Sequence, residues 1–191
     1  MIFKNFYVFV GLDGSGKSST IDELLKIYTN SRSFHFIPKF NNVSNTYDIK
    51  SKKNLKAPSS YLLRILSIIR VIKNLFISWF LIPLNSFRSK YLFGDRYVYG
   101  YYTEPIPLKF YLGSTLSLVL ISLFPKPHKI FYLEINEELS KYRKDELNIS
   151  QIQTVRENIE YLSTKMNNII KIDAEHKNIN ELVDEIRTYI K

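Results

Sequence analysis

A glycine-rich stretch near the amino end carries residues whose types and spacing could bind a chain of phosphates. Residues 11–18 read Gly-Leu-Asp-Gly-Ser-Gly-Lys-Ser and fit the pattern G-x-x-x-x-G-K-[ST]. In this pattern loop amides surround phosphate oxygens, the lysine neutralises the β and γ phosphates, and the final hydroxyl binds Mg²⁺. The pattern therefore predicts binding of ATP with Mg²⁺. The predicted ATP-binding residues are Gly11, Asp13, Gly14, Ser15, Gly16, Lys17, Ser18 and Ser19.

The elements that must position this loop are visible on both sides of it. Residues 6–10 form an apolar run typical of a buried strand, and Ile21, Leu24, Leu25 and Tyr28 follow at helical spacing. A strand, a glycine loop and a helix amino end in this order direct backbone amides and a positive helix end at an anion.

A second set of chemically useful residues follows a strand in the middle of the chain. Asp95 and Arg96 follow the apolar residues 91–93 after a single glycine, Gly94. If that strand lies beside the first one, Asp95 can hold Mg²⁺, directly or through water. Arg96 then faces the acceptor and can form a forked pair with a phosphate on it. Ser18 and Asp95 are the predicted metal ligands.

Five strand candidates alternate with helical or irregular segments. They cover residues 5–10, 33–37, 90–93, 129–135 and 168–172. This alternation predicts an α/β fold with a parallel sheet. With 191 residues and no linker-like segment, we expect a single domain over residues 1–191.

Composition excludes several kinds of site. The chain has no cysteine, which rules out disulfides, thiol catalysis and cysteine-based zinc sites. Its three histidines, His35, His128 and His176, lie far apart and fit surface or satisfied core positions better than a metal motif. No export signal precedes the first strand, which leads us to expect a cytoplasmic protein.

The net charge of +9 has two interpretations. It suits binding to nucleic acid or to an anionic membrane, but it also suits a lysine-rich surface with a few cations dedicated to phosphates. Because no nucleic-acid-binding signature is present, we favour the second interpretation and expect no nucleic-acid partner.

Residues 61–82 form the most apolar segment. Arg64, Ser67, Arg70, Lys73, Asn74 and Ser78 fall three or four residues apart, which predicts one polar face on an amphipathic helix rather than a membrane span. The wide apolar side must be covered, by the core and a homodimer interface as the favoured alternative, or by in-plane association with a membrane.

Other segments give simpler predictions. Residues 116–124 predict a core helix that ends at Pro125, and Ser150 with Gln153 predicts the capped start of a helix running to about Met166. Asn178 with Glu181 predicts the start of the last helix. The polar residues 39–56 predict a loop, near the acceptor side of the site or as a surface insertion.

Residues 11–19 and the later Asp95-Arg96-Tyr97 together resemble the thymidylate kinases. Residues 170–174, Ile-Lys-Ile-Asp-Ala, resemble the last strand and adenine-side loop of that family. The resemblance covers most of the chain in order and spacing. It implies a three-layer P-loop NTPase fold, with a five-stranded parallel sheet flanked by helices, a lid, ATP and Mg²⁺ as cofactors, and a helix-packed homodimer.

The resemblance also implies catalytic roles. Asp13 matches the position that contacts the acceptor's sugar, Lys17 the phosphate position, and Arg96 the arginine that contacts the acceptor phosphate. Gly14 stands where some members carry a catalytic arginine, so a lid over residues 136–150 must supply a cation. Arg143 or Lys144 fits this role, and the planar guanidinium of Arg143 suits a spread-out anion better.

The acceptor is where the chain departs from ordinary thymidylate kinases. Residues 34–38, Phe-His-Phe-Ile-Pro, replace the Arg-Glu-Pro-Gly stretch expected there, and residues 143–147 resemble a divergent branch found among surface-polysaccharide genes. We therefore expect γ-phosphate transfer to a small nucleoside monophosphate-like acceptor. Two alternatives remain: a nucleoside, sugar or other hydroxyl acceptor, or a non-catalytic nucleotide-binding module that docks at a membrane.

Overall fold

The computed structural model describes residues 1–35, 61–103, 113–136 and 149–190. Strands and helices alternate through these ranges. The strands are β1 Ile2–Gly11, β2 Arg32–His35, β3 Leu92–Asp95, β4 Lys126–Glu134 and β5 Ile169–Asp173. The helices are α1 Lys17–Ile27, α2 Tyr61–Arg88, α3 Gly100–Thr103, α4 Gly113–Ser122, α5 Ile149–Lys165 and α6 Ile179–Tyr189.

The five strands form one sheet in the order β2-β3-β1-β4-β5, and every pair is parallel. All five strands predicted from the sequence are present, with limits that differ by up to three residues. The prediction of an α/β P-loop NTPase fold with a five-stranded parallel sheet flanked by helices is confirmed.

The core is centred on β1, whose residues Phe6 to Val10 are all buried. A strand in the middle of a parallel sheet is covered by helices on both faces, which explains an uninterrupted apolar run rather than an alternating one. Phe9 and Phe131 pack with ring centroids 5.3 Å apart, and Tyr7 stacks on Phe131 at 6.0 Å. This aromatic layer fixes the strand ends from which the loops of the site emerge.

The register of the central strands brings two predicted site segments to the same edge of the sheet. Phe9 of β1 pairs with Asp95 of β3, and Gly11 pairs with Leu133 of β4. Because all strands are parallel, their carboxyl ends meet at one edge, where ligands bind in open α/β sheets. The glycine loop and the Asp95 segment are therefore neighbours.

The last helix begins as the sequence predicts, whereas α5 begins at Ile149, one residue before the predicted cap Ser150. Asn178 caps α6: its side chain accepts a bond from the Glu181 backbone N–H at 3.1 Å, and the Glu181 carboxylate accepts from the Asn178 N–H at 2.8 Å. This reciprocal capping box satisfies two helix-end donors. The predicted helices at 116–124 and 150–166 correspond to α4 and α5.

Helix α2 differs from the prediction in length and orientation. It continues to Arg88, through Pro83, instead of ending at residue 82. The polar residues predicted to share one face do not all face solvent, because Ser78 is buried whereas Lys73 is exposed. Polar groups hold this inner side of the helix, with Asn5 Nδ2 donating to the Ser86 carbonyl at 2.7 Å.

The apolar side of α2 points outward. Phe76 and Phe80 are 72% and 70% exposed, so the described residues do not cover the apolar face that an amphipathic helix normally buries. Among the described residues, no helix combines the length and apolar content needed to cross a bilayer.

Candidate active site

The glycine loop connects β1 to α1 in a conformation that only glycine adopts readily. Gly14 and Gly16 have φ values of 82° and 86°, in the left-handed region. A Cβ at Gly11 would lie 2.6 Å from the Leu133 carbonyl oxygen, so the loop also crosses β4 too closely for a side chain. The loop then enters α1, whose first N–H groups have no partner within the helix and favour anions.

The Lys17 ammonium lies inside this loop. Its Nζ donates to the Gly11 carbonyl at 2.9 Å and the Leu12 carbonyl at 2.7 Å, and the side chain is almost fully buried. A buried ammonium needs such partners, because an unpaired charge away from water is costly. These bonds hold the Lys17 ammonium against the glycine loop, where loop amides and a helix amino end favour an anion.

Asp95 faces the first turn of α1 from the end of β3. Its Oδ2 accepts a hydrogen bond from the Ser18 hydroxyl at 3.1 Å, so the two predicted metal ligands are neighbours. Asp95 is buried, and within the described part of the chain its Oδ1 has no hydrogen-bond partner. A buried carboxylate oxygen without a donor is unusual, and a water molecule or a bound cation is the kind of partner that would satisfy it.

The donor set at this point fits magnesium. One carboxylate and one hydroxyl are hard oxygen ligands, and Mg²⁺ usually binds through one or two such groups together with waters and substrate phosphates. No cluster of three or more His, Cys, Asp or Glu side chains that could hold a metal occurs among the described residues. One carboxylate beside one hydroxyl suits an ion that arrives with a nucleotide and keeps waters and phosphates as its other ligands.

Arg96 and Asp13 form an ion pair between the segment after β3 and the glycine loop. Arg96 has a φ of 61°, a left-handed conformation that is uncommon for a residue other than glycine, and its N–H donates to the Phe9 carbonyl at 3.0 Å. Strained backbone of this kind persists where surrounding contacts fix it, often at functional sites. The turn directs the Arg96 side chain toward the glycine loop.

His35 is a site residue that the sequence analysis did not identify. It ends β2 directly opposite Asp95, and its Nδ1 lies 3.0 Å from Asp95 Oδ2. The sequence contained one signal for it, since His35 stands within the stretch that departs from the thymidylate kinase pattern. The pairing itself depends on the strand register, which the sequence did not fix.

A cavity of about 180 Å³ opens next to His35, between β2 and α2. Its lining is mostly apolar, with Phe34, Leu81 and Ile82 among its walls. The Ser78 hydroxyl, buried in this lining, has no hydrogen-bond partner among the described residues. A cavity of this size accommodates about one ring-sized group, because an apolar cavity of roughly 150 Å³ holds benzene.

The loop after β5 is ordered by its own polar contacts. Asp173 Oδ1 accepts from the Glu175 N–H at 2.9 Å, and Asp173 Oδ2 lies 2.9 Å from His176 Nδ1. The hydrogen bond to His176 lowers the pKa of the Asp173 carboxyl, and the same bond raises the pKa of the His176 imidazole. Asn136, which follows β4, donates to Glu175 and joins this loop to the neighbouring strand end.

The structure thus brings together most of the predicted site residues. The glycine loop, Lys17, Ser18, Asp95 and the Asp13–Arg96 pair lie at one edge of the sheet, whereas Ser19 is exposed on the first turn of α1. The predicted lid cations Arg143 and Lys144 lie outside the described residues, as does the predicted loop at 39–56.

Comparison with known proteins bears on the fold. No protein-family model matches the sequence, and no curated protein matches it. Among solved structures, the chain is similar to a thymidylate kinase from Candida albicans, with a TM-score of 0.67 and 19% identity over 97% of this chain and 90% of that one. It is also similar to a thymidylate kinase from Ehrlichia chaffeensis, with a TM-score of 0.57 and 18% identity over 97% of both chains. The chain has a thymidylate kinase-like fold.

Proposed function

From the thymidylate kinase-like fold and the arrangement at its sheet edge, we propose that the protein is an ATP-dependent phosphotransferase. It transfers the γ-phosphate of ATP to a nucleoside monophosphate-like acceptor. The observation that carries the proposal is the Asp95 carboxylate, which accepts a hydrogen bond from Ser18 at the start of α1 and has one buried oxygen without a donor in the part of the chain that the structure describes. A nucleotide-bound Mg²⁺ would satisfy that oxygen.

The protein's part in this reaction is positioning and electrostatic stabilisation. Loop amides and the Lys17 ammonium bind the phosphate chain, with phosphate oxygens replacing carbonyls as acceptors for Nζ. Ser18 and Asp95 would hold Mg²⁺, which supplies positive charge where the transferred group becomes more negative. Little covalent work is required of the protein.

Asp13 and Arg96 act on the acceptor side. The Arg96 guanidinium holds the Asp13 carboxylate in place, and Asp13 accepts a hydrogen bond from the acceptor and orients its nucleophile. The Arg96 guanidinium can also form a bidentate pair with an anionic group on the acceptor. A lid cation, Arg143 or Lys144, closes over the γ-phosphate in the way that the resemblance to thymidylate kinases implies.

A second acceptor class is favoured by the charge balance at the site. Arg96 is already paired with Asp13, and residues 34–38 lack the arginine of the Arg-Glu-Pro-Gly stretch in the thymidylate kinase pattern. An uncharged nucleoside, sugar or other hydroxyl compound needs no additional cation. It is the alternative acceptor class for the same phosphoryl transfer.

Lys17 provides the direct test. Lys17→Ala removes the buried ammonium, whereas Lys26→Ala removes an exposed ammonium from the same helix, one that pairs with Glu23 at 2.7 Å. We expect Lys17→Ala to lower ATP turnover by about 100-fold or more, because it removes charge stabilisation at the transferred phosphate. Lys26→Ala should retain the turnover of the unmodified protein.

The assay measures ADP formation with Mg²⁺ and ATP against a panel of nucleoside monophosphates, nucleosides and sugars. Calorimetric titration with ATP and Mg²⁺ runs in parallel, so that binding and turnover are measured separately. If the folded protein binds no ATP in this titration, the proposed ATP-dependent activity is contradicted. ATP binding without turnover on any panel member favours the non-catalytic alternative.

A further inference from the structure

The proposed phosphoryl transfer gives no role to His35, although its side chain contacts the candidate metal site. The Nδ1 atom of His35 lies 3.0 Å from Asp95 Oδ2, and the two side chains are 42% and 10% exposed. The contact therefore joins a partly exposed histidine to a predicted metal ligand.

Two donors converge on the same oxygen of Asp95. The Ser18 hydroxyl donates to Oδ2 at 3.1 Å. A carboxylate in its ionised, metal-binding form only accepts hydrogen bonds, so Nδ1 of His35 carries the proton and also donates to Oδ2. Oδ1, by contrast, is buried and has no donor among the described residues. The two bonds occupy Oδ2 and leave Oδ1 as the oxygen available to a cation.

Strand β2 places His35 on the face of the sheet that Asp95 occupies. His35 and Asp95 are register partners in neighbouring parallel strands, and successive side chains along a strand point to opposite faces. Phe34 points to the other face, where its ring packs on Phe6 with centroids 5.7 Å apart. A Cβ at Gly94 would lie only 3.0 Å from the Phe34 ring, so the glycine of β3 makes room for it. Packing of Phe34 on one face thus fixes His35 on the other, next to Asp95.

We infer that His35 is a positioning residue for the metal site, a role that rests on the proposed function. Together with Ser18 it holds Oδ2, which fixes the rotation of the Asp95 carboxylate and keeps Oδ1 available to Mg²⁺. Carboxylates that bind metals are commonly hydrogen-bonded in turn, and loss of such a partner lowers metal affinity by about 10- to 100-fold. His35 lies in the stretch where the chain departs from the thymidylate kinase pattern, so the resemblance does not supply this role.

The expected loss lies at the lower end of that range. Ser18 still donates to Oδ2 when the histidine donor is removed, and water can reach a side chain that is 42% exposed. Removing the donor therefore frees the rotation of the carboxylate without removing the ligand itself. We expect the metal-dependent part of ATP binding to weaken about 10-fold.

Two substitutions of His35 separate positioning from packing. His35→Phe keeps an aromatic ring and removes the donor, whereas His35→Asn removes the ring and keeps an N–H donor near the position of Nδ1. Phenylalanine is favoured in strands and asparagine is disfavoured, so a packing role would be retained in His35→Phe and lost in His35→Asn. A positioning role gives the opposite result. Ser33→Ala, at an exposed position two residues earlier on β2, is the matched control.

The measurement is calorimetric titration of the full chain with ATP, once with Mg²⁺ and once with EDTA. The ratio of the ATP dissociation constant in EDTA to that in Mg²⁺ defines the metal enhancement. We expect His35→Phe to lower the metal enhancement about 10-fold and to leave the dissociation constant in EDTA unchanged, because the glycine loop and Lys17 bind phosphates without the metal. His35→Asn should keep most of the metal enhancement, and Ser33→Ala should keep all of it.

The same titrations give the results that would overturn the inference. A metal enhancement that His35→Phe leaves unchanged, or that His35→Asn loses as fully as His35→Phe, contradicts the positioning role. A further decrease when His35→Phe is added to Asp95→Asn would show that His35 acts through another group, and it contradicts the role as well. If the unmodified protein binds no ATP, or binds it without metal enhancement, the proposed function itself fails and this inference with it. Thermal unfolding of each variant checks that folded protein is titrated.

Discussion

Replacing Asp95 by asparagine removes one charge from the candidate site while keeping its shape. The carboxylate is buried; its Oδ2 contacts both Ser18 and His35, whereas its Oδ1 has no donor among the described residues. We expect Asp95→Asn to stabilise the fold and at the same time to abolish most of the activity. A gain in stability together with a loss of turnover is expected for a carboxylate kept for function, whereas replacing a structural carboxylate should lower stability.

The magnitude follows from these contacts. A buried acceptor without a donor costs about 1–3 kcal/mol, and more when it is charged. The asparagine keeps one oxygen for the Ser18 hydroxyl and replaces the anionic Oδ1 with a neutral NH2 group, which costs less to bury than a charged oxygen even without a partner. We expect a net gain of about 1 kcal/mol, which in a chain of this size raises Tm by roughly 2–4 °C. Loss of the carboxylate ligand to Mg²⁺ should lower kcat/KM by about 100-fold or more.

The assay combines thermal unfolding without nucleotide, magnesium titration in the presence of ATP, and steady-state turnover. Asp173→Asn is the matched control. That carboxylate is exposed and accepts bonds from Glu175 and His176, so its replacement should lower stability. A clear decrease in the Tm of Asp95→Asn, or turnover at the unmodified rate under saturating Mg²⁺, would refute the reasoning.

Two further predictions concern the loops. Gly11→Ala places a methyl group 2.6 Å from the Leu133 carbonyl oxygen, so the loop must shift, and calorimetry should show ATP binding weakened by about tenfold or more. His176→Gln removes the imidazole whose pKa Asp173 raises above its ordinary value of 6.5. That histidine stabilises the fold fully below the ordinary pKa and loses its contribution as pH rises through the raised one. In urea unfolding, the free energy of unfolding of the variant should therefore drop increasingly below that of the unmodified protein as pH decreases from about 8.5 to about 5.5.

Different outcomes would contradict these two predictions. Unchanged ATP affinity in Gly11→Ala would mean that the loop tolerates a side chain beside β4. If the stability difference between His176→Gln and the unmodified protein does not vary with pH, the pKa of His176 is the same in the folded and unfolded chains.

Local sequence determined the order of elements and the glycine loop. The apolar run of β1 and the glycine spacing that follows it depend on interactions between near neighbours, which the sequence displays directly. The capping box of α6 is equally local, since Asn178 and Glu181 are three residues apart. The pairing of Ser18 with Asp95 was predictable only by assuming that β1 and β3 are adjacent, as the family resemblance implies.

The outward face of α2 could not be predicted in the same way. The helical spacing of its apolar residues is visible in the sequence. A helix with apolar residues on one side normally buries that side, so the sequence alone favours an inward orientation. Here polar contacts from Asn5 and Arg32 hold the other side of the helix against the sheet. Which side faces inward depends on those partners, which are more than fifty residues away in the chain.

The sequence by itself determined that a phosphate-binding loop lies between a buried strand and a helix, because that chemistry requires a short stretch of particular residues. Tertiary structure decided which groups join the loop. His35 reaches Asp95 only through the register of β2 on β3, and Arg96 reaches Asp13 only through a left-handed turn after β3. Contacts between distant segments depend on how strands pair, and no local pattern specifies that pairing.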